Sequence, residues 1–153
     1  MTRQFWTAIE AGIAELVIEN PPVNALDSVG WRALSEEIDR LNADDTVRAI
    51  VIRAEGRGFC AGVDIKELQA HPDRIVAANA GNYEAFRALH RGLKPAIAAV
   101  HGYVLGGGIG ICGAVDIIVA SEDATFGVPE VDPGEGEDER DDVPHARQCR
   151  TKK

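Results

Sequence analysis

The sequence is poor in positive charge and in aromatic side chains. Its 153 residues include 16 Lys and Arg against 25 Asp and Glu, which gives a formal net charge of −9, and only 5% are aromatic. A chain without a basic stripe interleaved with aromatic residues does not suit a nucleic-acid partner. The longest uncharged stretch, residues 102–115, is rich in glycine and falls short of the ~20 apolar residues that cross a membrane. We therefore expect neither a nucleic acid nor a membrane as partner.

Cysteine is also scarce. The three cysteines, Cys60, Cys112 and Cys149, are widely spaced, and no CxxC pair exists. An odd number at such spacing suits neither a zinc site nor a disulfide framework. Reduced thiols are typical of the cytoplasm, and the first six residues lack the apolar core of a signal peptide. The prediction is a cytoplasmic protein that holds no metal.

Apolar segments of strand length alternate with segments of helical periodicity. Trp31, Leu34, Ile38 and Leu41 recur at helical spacing behind a possible capping residue, Asp27 or Ser28. The predicted strands cover residues 13–19, 47–53, 96–100 and 116–120, and the further predicted helices cover residues 64–69, 74–93 and 107–114. This alternation predicts an α/β fold with parallel strands and right-handed crossovers. Hydrophobic residues make up 45% of the chain, enough for the core of one domain.

Two glycine-rich segments each follow an apolar strand and run into a predicted helix. They are residues 58–66 (GFCAGVDIK) and residues 104–110 (VLGGGIG). Glycine lets the backbone approach a ligand closely, and the positive end of the following helix favours an anion. Two such turns can aim two backbone N–H groups at one point, as the negative oxygen of an enolate or a tetrahedral intermediate requires. On glycine content alone, two ordinary tight turns remain the simpler interpretation.

In their order along the chain, these segments resemble the crotonase family, the superfamily of enoyl-CoA hydratases and isomerases. The resemblance runs from about residue 13 to residue 131, and it includes residues 20–26 (NPPVNAL), 94–102 (KPAIAAVHG) and 124–130 (ATFGVPE). Several separated motifs in the family's order are more specific than any one of them. The resemblance implies the family's repeated β-β-α spiral, here its N-terminal part only.

The resemblance also implies a site. The backbone N–H groups of Val63 and Gly107 would hold the thioester oxygen of an acyl-CoA as it becomes enolate-like. Glu130 would act as general acid/base, with a solvated surface glutamate as the plainer alternative. The residues implied to contact the substrate or its CoA part are Ala61, Gly62, Asp64, Ile65, Lys66, Gly106 and Gly108. CoA enters as part of the substrate, so no separate cofactor is expected, and the family usually forms homo-oligomers built on trimers.

Several side chains near these turns have structural interpretations. Asp64 can cap the following helix or contact the ligand, and Lys66 is either a contact for a CoA phosphate or a solvated lysine. We interpret Asp116 as a hydrogen-bonding residue at a strand start and His101 as a satisfied turn histidine. Cys60 has no His/Asn constellation that would support a thiol nucleophile, so we interpret it as a small buried residue.

One position departs from the hydratases of the family. Hydratases use two glutamates to hold and activate a water, and the earlier of these aligns with Gly110, which can transfer no proton. An isomerase or another enolate-forming reaction needs only one carboxylate. The two glycine-rich segments look especially similar to actinobacterial enzymes of steroid-ring degradation, which open a cyclic β-diketone CoA thioester by hydrolysis. Hydratase/isomerase chemistry and this hydrolase chemistry are therefore alternative functions.

The last 22 residues, 132–153, differ in composition from the rest of the chain. An acidic run is followed by a basic end, and Val143 is the only β-branched aliphatic residue. Such a segment cannot bury enough apolar surface to offset its ordering entropy, which predicts disorder. We interpret residues 1–131 as a partial crotonase domain, truncated after the N-terminal half, and residues 132–153 as a disordered or frame-shifted tail. A catalytically inactive remnant is accordingly a further hypothesis.

A dinucleotide site is the remaining alternative. Residues 108–113 (GIGICG) match the GxGxxG pattern, and Glu130 or Asp132 follows about 20 residues later. The predicted strand ends near Val100, several residues too early for the tight first turn of such a site. The pattern is weak within a glycine-rich stretch.

Overall fold

The computed structural model describes residues 3–128, and every structural statement below concerns these residues. The strands are β1 (Phe5–Glu10), β2 (Ile13–Ile18), β3 (Ala25–Leu26), β4 (Ala49–Ala54), β5 (Gly62–Val63), β6 (Ala96–Val100), β7 (Tyr103–Leu105), β8 (Ile117–Ala120) and β9 (Thr125–Gly127). The helices are α1 (Ser28–Ala43), α2 (Ile65–Ala70), α3 (Ile75–Arg91) and α4 (Gly107–Ala114), with a 3₁₀ turn at Pro72–Arg74.

A five-stranded sheet carries the fold, in the order β1-β2-β4-β6-β8. The β1–β2 pair is antiparallel, and the other three pairs are parallel. Along the central strand β4, alternate residues Ile50, Ile52 and Ala54 are buried, as expected of one face packed on the core. The sheet confirms the predicted α/β class with parallel pairing.

Helix α1 shows why the sequence folds as predicted here. The Asp27 carboxylate accepts a hydrogen bond from the backbone N–H of Gly30 at 2.6 Å and so caps the helix. The four apolar residues at helical spacing, Trp31, Leu34, Ile38 and Leu41, are all fully buried. They pack α1 against α3 and the core, which confirms both the cap and the apolar stripe.

Two small parallel sheets lie outside the main sheet, and the sequence did not predict them. One joins β3 to β5, and the other joins β7 to β9. These strands have two or three residues each, too few to show an alternating pattern. The antiparallel edge strand β1 is also absent from the sequence predictions, although it pairs over six residues. The short strands matter most, because β5 and β7 lead into α2 and α4.

The predicted elements agree closely in the middle of the chain. Strand β6 and helix α4 have the predicted bounds, whereas α3 is shorter than predicted at both ends. Ile75, the first residue of α3, is 41% exposed. At the sheet edge, the β8 residues Ile117, Ile118 and Val119 are also exposed. The predicted disorder of residues 132–153 concerns a segment outside the described residues.

Candidate active site

The two glycine-rich segments lie against each other. Cys60 and Val104 form an isolated parallel β-bridge, and the backbone N–H of Leu105 donates to the carbonyl oxygen of Cys60 at 2.9 Å. Further along, the backbone of Gly108 passes so close that a Cβ there would lie 2.7 Å from the same Cys60 oxygen. Main-chain contacts therefore align the end of the first segment with the start of α4.

The two predicted donor loops also approach each other closely at Gly62 and Gly107. A Cβ placed on Gly62 would lie 2.9 Å from the backbone nitrogen of Gly107. Gly62 is buried and has φ +92°, a conformation that side chains rarely adopt. Val63 follows directly, so its amide is within one residue of this contact. The structure thus brings the two predicted donor loops into contact at Gly62 and Gly107.

The Val63 N–H is not used by the neighbouring strand. Asp64, the next residue, donates its backbone N–H to the carbonyl oxygen of Leu26 on β3 at 2.9 Å. Successive N–H groups of an extended chain point in opposite directions, so the Val63 N–H points away from β3. Among the described residues, the Val63 N–H is therefore a hydrogen-bond donor that the pairing of β3 with β5 does not use.

The backbone N–H groups of the first two residues of α4 are also free of helical hydrogen bonds, whereas those of the next two are not. Ile109 and Gly110 donate to the carbonyl oxygen of Gly106, at 3.0 and 3.3 Å. Gly107 and Gly108 precede them, and neither donates a backbone hydrogen bond within the described part of the chain. Orphan donors and the positive end of the helix coincide here, and both favour an anion. Within residues 3–128, Val63 and Gly107 therefore each carry an unused backbone donor, and their joint role as an oxyanion hole stays a prediction.

Asp64 has the capping role that the sequence left open. The Asp64 carboxylate accepts from the backbone N–H groups of Lys66 and Glu67, at 2.9 and 3.4 Å, so it caps α2. The Lys66 side chain is exposed, and Ile65 is 58% exposed. Both side chains stand at the surface beside Val63. Seven predicted contacts with substrate or CoA stay predictions, namely those of Ala61, Gly62, Asp64, Ile65, Lys66, Gly106 and Gly108.

Glu67 was not predicted to matter. Its carboxylate accepts from the Ser28 backbone N–H at 2.7 Å, from the Ser28 hydroxyl at 2.8 Å and from Arg74 at 2.7 Å. The side chain is only 8% exposed. Burial raises the pKa of the Glu67 carboxyl, but the hydrogen bonds from Arg74 and Ser28 outweigh it, so the pKa lies below its usual range. Glu67 ties α2, and with it the loop of Val63, to the first turn of α1.

Asn24 fixes the other side of the first segment. It is buried, it has φ +54°, and its amide donates to the carbonyl oxygens of Glu55 and Gly58 at 2.7 and 2.9 Å. These oxygens lie in the turn that leads from β4 toward β5. Because a buried amide satisfies two loop carbonyls, the turn has a fixed place relative to β3. The motif that contains Asn24 was recognised, but this role was not.

The structural interpretations of His101, Asp116 and Cys60 are confirmed. The His101 ring nitrogen Nε2 lies 2.9 Å from the carbonyl oxygen of Gly56. The Asp116 carboxylate accepts from the backbone N–H of Ala96 at 2.8 Å and so joins the start of β8 to β6. Cys60 is fully buried, and burial raises the pKa of its thiol to about 12. Cys60 is therefore no candidate nucleophile.

The dinucleotide interpretation is wrong. A GxGxxG site needs its first glycine, here Gly108, in the tight turn between a strand and a helix. Here Gly108 and Gly113 both lie inside α4, which begins at Gly107. The turn itself is formed by Gly106, at φ +46°. The spacing of the glycines therefore arises within a helix and not in a phosphate-binding loop.

Some predictions concern residues that the structure does not describe, and others can be checked only within residues 3–128. Glu130, the predicted acid/base, lies outside them, as do Asp132 and Cys149. Within residues 3–128, no cluster of three or more His, Cys, Asp or Glu side chains could hold a metal ion. None of the helices formed by these residues is both long and apolar enough to cross a membrane.

Comparison with known proteins agrees with this geometry. The family model for enoyl-CoA hydratase/isomerase matches residues 8–138. The chain is 49% identical over 130 residues to a (7aS)-7a-methyl-1,5-dioxo-2,3,5,6,7,7a-hexahydro-1H-indene-carboxyl-CoA hydrolase of Mycobacterium tuberculosis, covering 84% of this chain and 53% of that protein. It is 42% identical over 130 residues to a probable enoyl-CoA hydratase of Bacillus subtilis, covering 83% of this chain and 50% of that protein.

Solved structures give the same result for the fold. The crystal structure of an enoyl-CoA hydratase/isomerase family protein from Silicibacter pomeroyi superposes with a TM-score of 0.78 at 29% identity, covering 85% of this chain and 57% of that one. The chain spans about half the length of the curated relatives it matches. It belongs to the enoyl-CoA hydratase/isomerase family and has the crotonase fold, as the motifs predicted.

Proposed function

We propose that the protein acts on acyl-CoA thioesters and stabilises the enolate form of the thioester carbonyl. The N–H groups of Val63 and Gly107 donate to the carbonyl oxygen as negative charge develops on it. Glu130 moves the proton at the neighbouring carbon. CoA enters as part of the substrate, and the reaction needs no separate cofactor.

The contact between Gly62 and Gly107 carries this proposal. A Cβ on Gly62 would lie 2.9 Å from the Gly107 nitrogen, so the two loops are in direct contact. Amides that are already in place cost no reorganisation when charge develops, and one such donor is typically worth ~3 kcal/mol of transition-state stabilisation. The amide of Gly107 also stands at the positive end of α4, which adds to the attraction for an anion.

Hydrolytic ring opening is the second candidate, and Gly110 favours it over hydration. Hydration of an enoyl-CoA in this family uses two glutamates, and glycine stands at the first of these positions. In the hydrolytic alternative, water adds to a ring carbonyl of a cyclic β-diketone CoA thioester. The ring C–C bond then breaks, its electron pair passes into the enolate, and a proton completes the product. The M. tuberculosis relative is named for the hydrolysis of a bicyclic CoA thioester.

The full 153-residue chain can test these proposals. It is incubated separately with crotonyl-CoA and with a cyclic β-diketone CoA thioester, and hydrated and ring-opened products are measured by mass spectrometry. Ring opening without hydration favours the hydrolase, and hydration of crotonyl-CoA contradicts it. An E130Q variant that keeps full turnover removes Glu130 from the mechanism.

An inactive remnant gives a different result. It forms no product from either thioester, even where calorimetric titration shows weak binding of free CoA. The absence of both products contradicts the proposed activity. We also propose that residues 1–131 form a partial acyl-CoA-binding domain. The cytoplasmic location and the trimer-based assembly are further proposals.

A further inference from the structure

The aromatic ring of Phe86 occupies the space in front of Gly110. A Cβ built on Gly110 would come closest to Cζ of Phe86, and it would lie 2.5 Å from Cε2 and 2.9 Å from Cε1. No side chain fits at position 110 while the ring stays where it is. Position 110 thus carries no carboxylate, and the Phe86 ring of the facing helix α3 fills the space that a side chain there would take.

Phe86 is held in this place by Trp31. The two rings meet edge to face, with centroids 5.8 Å apart and an interplanar angle of 79°. Trp31 is fully buried, and its indole also lies under the start of α4, since a Cβ on Gly107 would lie 2.6 Å from Cζ2. One indole therefore supports both the Gly107 amide and the Phe86 ring.

Helix geometry places this ring beside the proposed oxyanion site. Residues three apart are neighbours on a helix surface, so Gly110 lies one turn behind Gly107 on the same face. Cα–Cβ bonds tilt toward the helix N-terminus, so the space in front of Gly110 faces the proposed donor at Gly107. An acyl group whose carbonyl binds Gly107 has its neighbouring carbon atoms within reach of this space.

An open cavity of about 330 Å³ lies in the same place, between α3 and α4. Phe86, Gly110, Gly113 and Ala114 form the apolar part of its lining, and the exposed residues Tyr83, Arg87, His90 and Arg91 complete it. The volume lies within the range of small-molecule sites. A ring and two glycines present a broad, flat apolar surface, which a compact alicyclic group covers better than a narrow straight chain.

We propose that Phe86 is a specificity-determining residue, which fills the position of a carboxylate at residue 110 and selects acyl-CoA thioesters with a carbocyclic acyl group. This rests on the proposed function, because it needs an acyl-CoA bound at Val63 and Gly107. Phe86 transfers no proton. It offers an apolar wall where a hydratase would hold a water.

Calorimetric titration of the full chain tests this with three probes: free CoA, crotonyl-CoA and cyclohexanecarboxyl-CoA. We expect the wild type to bind the cyclohexane thioester about tenfold more tightly than crotonyl-CoA, the order of selectivity that a few apolar atoms give. The F86A variant should bind both thioesters about equally. F86L should retain part of the preference, and V76A, which removes an exposed apolar side chain of the same helix, should retain all of it.

A second measurement does not depend on any ligand. G110A should lower the urea midpoint of unfolding in the wild type but not in the F86A background, because the three atoms nearest to its methyl group all belong to the Phe86 ring. Equal effects of G110A in both backgrounds would overturn the steric part of the proposal. Thioester binding with a preference that F86A leaves unchanged would overturn the selectivity and leave the proposed function standing. No binding of any probe, free CoA included, would overturn both.

Discussion

Gly62 packs against Gly107 so closely that a Cβ on the first would lie 2.9 Å from the backbone nitrogen of the second. The contact joins two segments that are more than 40 residues apart in the chain. Neither residue offers a functional side chain, so the chemistry proposed for this site depends on backbone geometry. Substitutions that move the backbone are therefore the sharpest probes.

The G62A variant should lose both stability and thioester binding. Its φ of +92° alone costs about 1–2 kcal/mol for a residue with a side chain, and the contact with Gly107 adds to this. We expect the free energy of unfolding in urea to fall by about 2–4 kcal/mol. Crotonyl-CoA binding, measured by calorimetry below the unfolding transition, should weaken at least tenfold.

Gly56 provides a matched control. Its φ is +88°, nearly that of Gly62, but a Cβ there meets nothing within 4 Å. The G56A variant should therefore show the conformational cost without the contact, and it should bind crotonyl-CoA as the wild type does. If G56A and G62A behave alike in both measurements, the close approach to Gly107 has no importance.

Glu67 should make the stability depend on pH. Its pKa in the folded protein lies below the unfolded value of about 4.3, so its stabilising contribution is complete above that value. The contribution is lost as the pH falls through the folded pKa. At pH 7 the E67Q variant should be less stable by about 1–2 kcal/mol in urea unfolding, and this difference should shrink below about pH 4.

The control for Glu67 is another glutamate paired with an arginine. Glu84 contacts Arg87 on the surface of α3, and both side chains are more than 40% exposed. We expect E84Q to change the free energy of unfolding by less than about 0.5 kcal/mol. A stability difference for E67Q that stays constant from pH 7 to pH 3 would contradict a titrating role for Glu67.

The elements that the sequence predicted well carry their information locally. Helix α1 has a capping aspartate and a buried stripe at regular spacing, and strand β6 is a short apolar run behind a proline. Each can be recognised from neighbouring residues alone. By contrast, β3 and β5 have two residues each, and they are strands only because they pair with each other.

The features of the candidate site also differ in how far neighbouring residues in the sequence predict them. The glycine-rich segments predicted which two loops would come together, because the motifs are local and the family resemblance gave their partners. The sequence did not reveal that Phe86 fills the space at Gly110, since 24 residues separate them and no pattern links them. Glu67 stands three residues after a capping aspartate, where a local capping box would be expected. Its carboxylate instead reaches Ser28, 39 residues away.

Cys60 should resist alkylation in the folded protein. Burial raises the pKa of its thiol to about 12, so the thiolate is about one molecule in ten thousand at pH 8. Treatment with iodoacetamide at pH 8 and peptide mass spectrometry should show Cys60 unmodified in the native protein and modified in 8 M urea. Native labelling of Cys60 as fast as in urea would contradict its burial beside the donor loop.

The start of α4 offers a final pair of substitutions within one helix. A Cβ on Gly107 would lie 2.6 Å from the Trp31 ring and 3.1 Å from the Asn82 amide oxygen, whereas a Cβ on Gly113 meets nothing within 4 Å. G113A should stabilise the protein by about 0.5–1 kcal/mol in urea, because alanine is the better helix former.

G107A should destabilise the protein by about 1–3 kcal/mol, because the fully buried indole cannot yield without strain. The displaced amide should also reduce turnover of whichever thioester proves to be the substrate by about 100-fold or more. Loss of stability with full turnover would place the Gly107 amide outside the mechanism. Equal stability of G107A and G113A would show that Trp31 does not fix the start of α4.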